Sequence, residues 1–111
     1  SLLEQAACGM YSLAGVRLEE GAAQTRSLTL QAADAEILLV RFLSELLWFQ
    51  QDQNLGFSRY TIHIDPDFNL QADLVGAAIV HMDKEIKAVT YHNLKVQTSA
   101  QGLRITIVFD V

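Results

Sequence analysis

The sequence predicts an α+β fold in which two helices pack on a mainly antiparallel sheet. Apolar residues recur at the spacing of an α-helix in two segments, one at the N-terminus and one in residues 34–52. After residue 56 the pattern changes to an alternation of apolar and polar residues, which is typical of half-buried strands. The connections between these strands are short and therefore favour antiparallel pairing. The chain has 111 residues, the usual size of one domain, so we predict a single domain over residues 1–111.

The first helix is predicted to begin at the N-terminus and to end at a glycine. Ser1 and Glu4 have the spacing of a capping box, and Gly15 is placed to end the helix. Cys8 lies in this Ala-rich stretch and is predicted to be a small buried residue. The apolar positions that define the helix are Leu2, Leu3, Ala6, Ala7, Met10, Leu13 and Ala14.

The second helix is the clearest element of the pattern. Residues 16–25 are small and polar and are predicted to form a loop, and residues 27–31 alternate like a strand. Asp34 is a good N-cap for the helix that follows. Trp48 falls near a narrow polar stripe, so we expect it at the rim of the core. The remaining helix is so apolar that it must be covered on most sides: Ile37, Leu38, Leu39, Val40, Phe42, Leu43, Leu46, Leu47 and Phe49.

The rest of the chain is predicted to be strands joined by turns. A turn at 54–56 precedes a strand at 60–64, and the Asp-Pro-Asp sequence at 65–67 is a second turn. Gly76, inside the next strand, marks a bulge or a close approach of another backbone. The predicted strands after the second turn are residues 70–80, 85–91, 95–98 and 103–110, the last two joined by a turn at 99–102.

Composition restricts the classes of function. The net charge is −5 and no run of Lys or Arg occurs, so the protein is a poor candidate for tight nucleic-acid binding by itself. No apolar stretch approaches the roughly 18 residues that a membrane-spanning helix needs. The single cysteine excludes an intramolecular disulfide and fits a reducing compartment, so we expect a cytoplasmic protein.

Few residues are candidates for chemistry. His63, His81 and His92 are spaced like no standard zinc motif, and His63 is expected to face solvent in its strand. The acidic turn at 65–67 lacks the further oxygen ligands of a calcium loop. Lys87 lies in the middle of a predicted strand. Asp110, beside the carboxyl terminus, either helps to hold Mg²⁺ or Ca²⁺ or is simply a solvated strand end.

Four segments resemble the archease family, in the right order along the chain. Residues 85–92, Glu-Ile-Lys-Ala-Val-Thr-Tyr-His, resemble its signature strand, and the ending Val-Phe-Asp-Val at 108–111 resembles its C-terminus. Residues 4–13 and the Leu-rich residues 39–47 resemble its two helices. The resemblance spans essentially the whole chain and is most specific in the signature strand.

The resemblance implies an accessory protein, not a stand-alone enzyme. Archeases activate a GTP-dependent ligase that joins RNA ends bearing a 3′-phosphate or a cyclic phosphate, in tRNA splicing and RNA repair, by promoting its guanylylation and multiple turnover. By motif match, Asp110 and Val111 are the expected ligands of a divalent metal ion, Ca²⁺ or Mg²⁺. Lys87 matches the lysine important for activation. His81 lies near the position of a family histidine, but the spacing from His81 to Lys87 is one residue shorter than the spacing in the family.

The start of the chain departs from the family pattern. Archeases open with a strand that carries an Asp-His-Thr-Ala-Asp-like motif, and this sequence begins after it. We therefore expect the domain to lack its N-terminal strand and one metal ligand; if that strand instead precedes the given residues, the metal site that the resemblance implies is complete. An exposed sheet edge would invite strand addition or dimerisation.

Two other functions remain open at this stage. The first is a chaperone-like module that binds a partner protein through its sheet edge or helix face, without metal chemistry. The second, a small metal-dependent hydrolase, is disfavoured because the sequence offers no general base paired with an activated nucleophile.

Overall fold

The structure, a computed structural model, describes residues 2–89, 95–99, 102–106 and 109–110. It confirms the α+β prediction, with two helices and a four-stranded antiparallel sheet. In chain order the elements are α1 (Leu2–Ala14), β1 (Arg17–Leu18), β2 (Gln24–Gln31), α2 (Ala35–Gln53), β3 (Leu55–Ile64), β4 (Asn69–His81), β5 (Ala88–Val89), β6 (Lys95–Ser99), β7 (Gly102–Thr106) and β8 (Phe109–Asp110).

Helix α1 has one buried face, and its end confirms the predicted stop at Gly15. The face consists of four residues at helical spacing, Leu3, Ala7, Met10 and Ala14. Gly15 has a positive φ of 67° and donates to the Ser12 carbonyl, while Val16 donates to the Tyr11 carbonyl. These two bonds form a Schellman motif, which a residue with a Cβ would strain.

Cys8 is exposed, so the prediction of a buried cysteine was wrong. Cys8 follows the fully buried Ala7 directly, and consecutive helical positions are separated by about 100° around the axis. The small side chains on both faces of α1 hid this difference in the sequence.

Helix α2 is the centre of the core, as predicted. The Asp34 carboxylate caps it by accepting from the Ile37 backbone N–H at 2.8 Å. Asn54 ends it in the left-handed conformation, with φ of 52°. Trp48 is 48 % exposed, which confirms its predicted place at the rim. The buried side chains of α2 are Leu38, Leu39, Val40, Phe42, Leu43, Leu46, Leu47, Phe49 and Gln50.

Strand β4 is the middle of the sheet and pairs with β2 and with β3, both antiparallel. The predicted loop at 16–25 was partly wrong: Arg17 and Leu18 form β1 on β4, and β2 already begins at Gln24. The predicted turn at 54–56 was also partly wrong, because Leu55 and Gly56 belong to β3. Alternation cannot reveal a strand of two residues, nor a strand start where consecutive residues are all buried.

Gly76 makes the close backbone approach that its position in a strand predicted. A Cβ built on it would lie 1.8 Å from the Gly56 carbonyl oxygen. The register of β3 on β4 shifts at this level, between Phe57 and Arg59. The bulge and the missing side chain together let the two strands come close.

The turn between β3 and β4 is held by one carboxylate. Asp65 accepts from the backbone N–H of Asp67 at 2.9 Å and from that of Asn69 at 3.0 Å. Bonds from the Asn69 side chain and backbone hold the pKa of Asp65 below its usual value. The carboxylate thus serves the turn, in agreement with the sequence-based interpretation.

The C-terminal strands form two small ladders. β6 pairs with β7, with Ser99 opposite Gly102; residues 100–101 of the turn predicted between them lie outside the described residues. β5 pairs with β8 in a second antiparallel ladder. The predicted strand 85–91 was too long at its start, since β5 begins only at Ala88. Its last two residues and His92 lie outside the described residues.

Candidate functional site

Lys87 lies just before β5 and not in the middle of a strand, which corrects the prediction. Its side chain is exposed, and its backbone carbonyl accepts from the Gln51 side-chain amide at 3.4 Å. Gln51 belongs to the last part of α2. Gln51, near the end of the central helix, thus contacts the backbone that carries Lys87, while the Lys87 side chain stays exposed.

The ladder of β5 and β8 brings Asp110 to the same place. Asp110 lies opposite Ala88, the residue that follows Lys87 in the chain. Residues that are opposite in an antiparallel ladder have Cα atoms about 4.5–5.5 Å apart. Two predicted site residues that are far apart in sequence are thus on neighbouring strand ends. Val111, the third, lies outside the described residues.

The described residues do not assemble a metal site by themselves. Within residues 2–87, whose side chains are described, no three His, Cys, Asp or Glu side chains form a group that could hold a metal ion. A hard divalent ion needs about six oxygen ligands. The site that the resemblance implies, the Asp110 side chain with Val111, lies outside those residues and is not tested by them.

His81 is the last residue of β4, and it pairs with Asp83 in the connection to Lys87. Its Nε2 lies 2.6 Å from the Asp83 Oδ1 atom, and both side chains are exposed. The backbone N–H groups of Asp83 and Lys84 donate to the Ala14 carbonyl at 2.8 and 3.0 Å. The segment between β4 and Lys87 is therefore tied to the C-terminal end of α1.

A cavity that the sequence did not predict opens beside this segment. Its volume is about 720 Å³. It lies between the end of α1, strand β1, the bulge of β3, and the His81–Asp83 pair, which come together only in the folded chain. The lining residues are Cys8, Tyr11, Ser12, Gly15, Val16, Arg17, Leu18, Phe57, Ser58, Tyr60, His81 and Asp83.

Two half-buried tyrosines meet at the backbone of Phe57 in this cavity. The Phe57 N–H donates to the Tyr11 hydroxyl at 3.3 Å, and the Tyr60 hydroxyl donates to the Phe57 carbonyl at 3.0 Å. Burial raises the pKa of Tyr11 to about 12. Burial, and next the nearby charge of Tyr11, raise the pKa of Tyr60 as well. Both phenols are therefore neutral and structural at physiological pH.

One candidate histidine remains within the described residues. His63 is exposed on β3, which confirms the sequence-based interpretation.

No helix in the described part of the chain is long and apolar enough to cross a membrane.

Comparisons with known structures show the same fold. The chain matches the crystal structure of an archease, described as a possible chaperone, from Thermotoga maritima with a TM-score of 0.73 and 21 % identity, over 99 % of this chain and 80 % of that one. It matches the solution structure of protein 1598 from Methanobacterium thermoautotrophicum with a TM-score of 0.67 and 22 % identity, over 98 % and 82 % of the two chains.

Sequence comparisons give the relationship. The protein archease of Methanosarcina barkeri is 26 % identical over 118 residues, which cover 99 % of this chain and 81 % of that protein. The protein archease of Pyrococcus abyssi is 30 % identical over 86 residues, 71 % of this chain and 61 % of that protein. The model of the Archease protein family (MTH1598/TM1083) matches residues 1–111. Because that match covers the whole sequence, the chain belongs to the archease family.

Proposed function

We propose that this protein activates a GTP-dependent RNA ligase, one that joins ends bearing a 3′-phosphate, by promoting its guanylylation and its multiple turnover. The observation that carries the proposal is membership of the archease family over residues 1–111. The placement of Lys87 beside the strand end that carries Asp110 supports it, because the resemblance assigns Lys87 to activation and Asp110 to metal binding.

Lys87 can act as a mobile cation at the contact with the ligase. Its exposed side chain stands on a backbone that Gln51 holds from α2. An ammonium group on a flexible stem contacts phosphate as a point charge, which suits a nucleotide in the partner's site. The net charge of −5 supports docking onto a basic, RNA-binding enzyme and does not support retention of the RNA by this protein.

The test compares two exposed lysines that lie three positions apart. Lys87→Ala should abolish the stimulation of ligase guanylylation, whereas Lys84→Ala should stimulate like the wild type, because Lys84 contributes its backbone N–H and not its side chain to the described contacts. Both substitutions should change the free energy of unfolding by no more than about 0.5 kcal/mol, since they are on the surface. Equal stimulation by the two variants would remove Lys87 from the proposal.

A divalent ion at Asp110 and Val111 is a separate proposal that rests on the family resemblance. When bound, such an ion would stabilise charge on a phosphate. Titration of the protein with Ca²⁺ and Mg²⁺ in a calorimeter should show binding to the wild type and at least about tenfold weaker binding to Asp110→Asn, which loses a charged ligand. Equal affinity of the two proteins would place the ion elsewhere, and no heat from either would refute the site.

A chaperone-like module is the second candidate. The archease of Thermotoga maritima is described as a possible chaperone, and its fold is the fold found here. In this case the protein would bind the ligase and protect it without changing its chemistry. Protection of the ligase against thermal aggregation, with unchanged guanylylation and with full effect from the Lys87→Ala variant, would favour this candidate.

A further inference from the structure

The cavity between α1, β1 and β3 is not used by the proposed function, and aromatic and aliphatic side chains form one part of its wall. Tyr11 and Tyr60 line it together with Phe57, Val16 and Leu18. The Tyr11 hydroxyl accepts from the Phe57 N–H and the Tyr60 hydroxyl donates to the Phe57 carbonyl, so both hydroxyl oxygens are held at the backbone while the aromatic rings line the cavity. A volume of about 720 Å³ is within the range of roughly 300–1,000 Å³ that small-molecule sites have.

The same cavity carries one positive charge that the described residues do not neutralise. Arg17 lines it from β1, and its guanidinium forms no hydrogen bond or ion pair within the described part of the chain. The Asp83 carboxylate at the rim lies 2.6 Å from His81 and forms no ion pair with Arg17. An anion that entered the cavity would therefore find Arg17 available.

We propose that this cavity binds a small amphipathic anion, an aryl or acyl compound with a single acidic group. Its apolar body lies against Tyr11, Phe57 and Tyr60, and its acidic group pairs with Arg17 at the mouth. Burial of the body supplies most of the affinity, and the charge-assisted bond to the guanidinium selects the anion over a neutral analogue. The site is distinct from Lys87, so it can be tested independently of ligase activation.

The test uses two matched probes, naphthalene-2-sulfonate and the neutral naphthalene-2-sulfonamide. Both are titrated into the ¹⁵N-labelled protein, and amide shifts are followed at the lining residues. The sulfonate should shift the amides of the lining residues and bind roughly tenfold or more tightly than the sulfonamide, because only the anion forms a charge-assisted hydrogen bond to Arg17. Equal affinities, shifts confined to other residues, or no saturation by either probe would overturn the proposal.

Two variants and a control locate the probe. Arg17→Gln should weaken sulfonate binding roughly tenfold and leave sulfonamide binding unchanged. Ser58→Trp should fill the cavity and abolish binding of both probes. Arg59→Gln, an exposed neighbour outside the lining, should bind both like the wild type. The spectrum of each free variant reports its folding, and Arg17→Gln decides the question even if Ser58→Trp does not fold. Sulfonate affinity unchanged in Arg17→Gln, or reduced equally in Arg59→Gln, would refute the role of Arg17.

Discussion

At the scale of single residues, two glycines are expected to respond in opposite ways to the same substitution. Gly76→Ala puts a Cβ 1.8 Å from the Gly56 carbonyl oxygen, and backbone cannot move aside as a flexible side chain can. We expect a loss of about 3 kcal/mol in the free energy of unfolding. Gly9→Ala meets nothing within 4 Å in the exposed middle of α1, and should gain about 0.5–1 kcal/mol because alanine is the better helix former.

Urea unfolding of both variants measures this pair of effects. A Gly76→Ala protein as stable as the wild type would mean that β3 and β4 can separate at the bulge without cost. A Gly9→Ala protein that loses stability would contradict the described position of Gly9 on the open side of α1.

Tyr11 makes stability depend on pH on the alkaline side. Its pKa is about 12 in the folded protein and about 10 in the unfolded chain. Because the pKa of Tyr11 is higher in the folded protein, its contribution to the free energy of unfolding is fully present below about pH 10. This contribution is lost as the pH rises from about 10 to about 12. Unfolding measured between pH 8 and 12 should show this loss in the wild type.

Tyr11→Phe tests the assignment of that loss. The variant lacks the acceptor for the Phe57 N–H, so it should be less stable by about 1 kcal/mol at pH 8. Its further loss of stability above pH 10 should be smaller than that of the wild type, with Tyr60 left to titrate. Identical pH profiles of the two proteins would show that Tyr11 is not buried as described.

The limits of sequence reasoning are also visible at this scale. Asp34, Gly15 and Gly76 were predicted in their roles, because caps, helix ends and close approaches each demand a particular side chain or its absence. The exposure of Cys8 was not predicted, because a small residue fits either face of a helix. The start of β5 after Lys87 was not predicted either, because a polar residue fits either a strand or a loop. Nothing local in the sequence marked Tyr11 and Tyr60 as neighbours.

At the scale of elements, helix α2 should depend measurably on its N-cap. Asp34→Ala removes the acceptor for the Ile37 N–H, and we expect it to lower the free energy of unfolding by about 1 kcal/mol. Asp52→Ala is the matched control, because an exposed acid near the C-terminal end of a helix is unfavourable and its removal should cost nothing. Chemical denaturation compares the two variants, and equal losses would contradict a specific cap.

The elements show why patterning predicted the main architecture and missed the small strands. Both helices carry enough apolar residues at regular spacing to be recognised, and β4 alternates through most of its length. β1 has two residues and exists because β4 extends past its pairing with β2, which ends at Gly76, and offers β1 a partner. A strand whose formation depends on a distant partner leaves no signal in its own sequence.

At the scale of the whole molecule, one connecting segment links the two candidate sites, the cavity beside α1 and the surface around Lys87. The segment from His81 to Lys87 leaves the cavity, is tied to the end of α1, and ends where β5 meets β8. Lys87 and Asp110 could be predicted from the sequence because they belong to motifs that resemble the family. The cavity could not be predicted, because it forms only where four elements meet in the folded chain. Dimerisation through a free sheet edge stays a prediction, which the molecular mass in solution would test.

The most direct test of the proposed function is a guanylylation and multiple-turnover assay of the cognate RNA ligase with and without this protein. We expect this protein at substoichiometric amounts to accelerate formation of the guanylylated ligase and to convert a single round of RNA joining into many. Stimulation that is lost with Lys87→Ala and kept with Lys84→Ala would support the proposed role and its site. Ligase turnover that stays the same at every concentration of the wild-type protein would contradict the proposal.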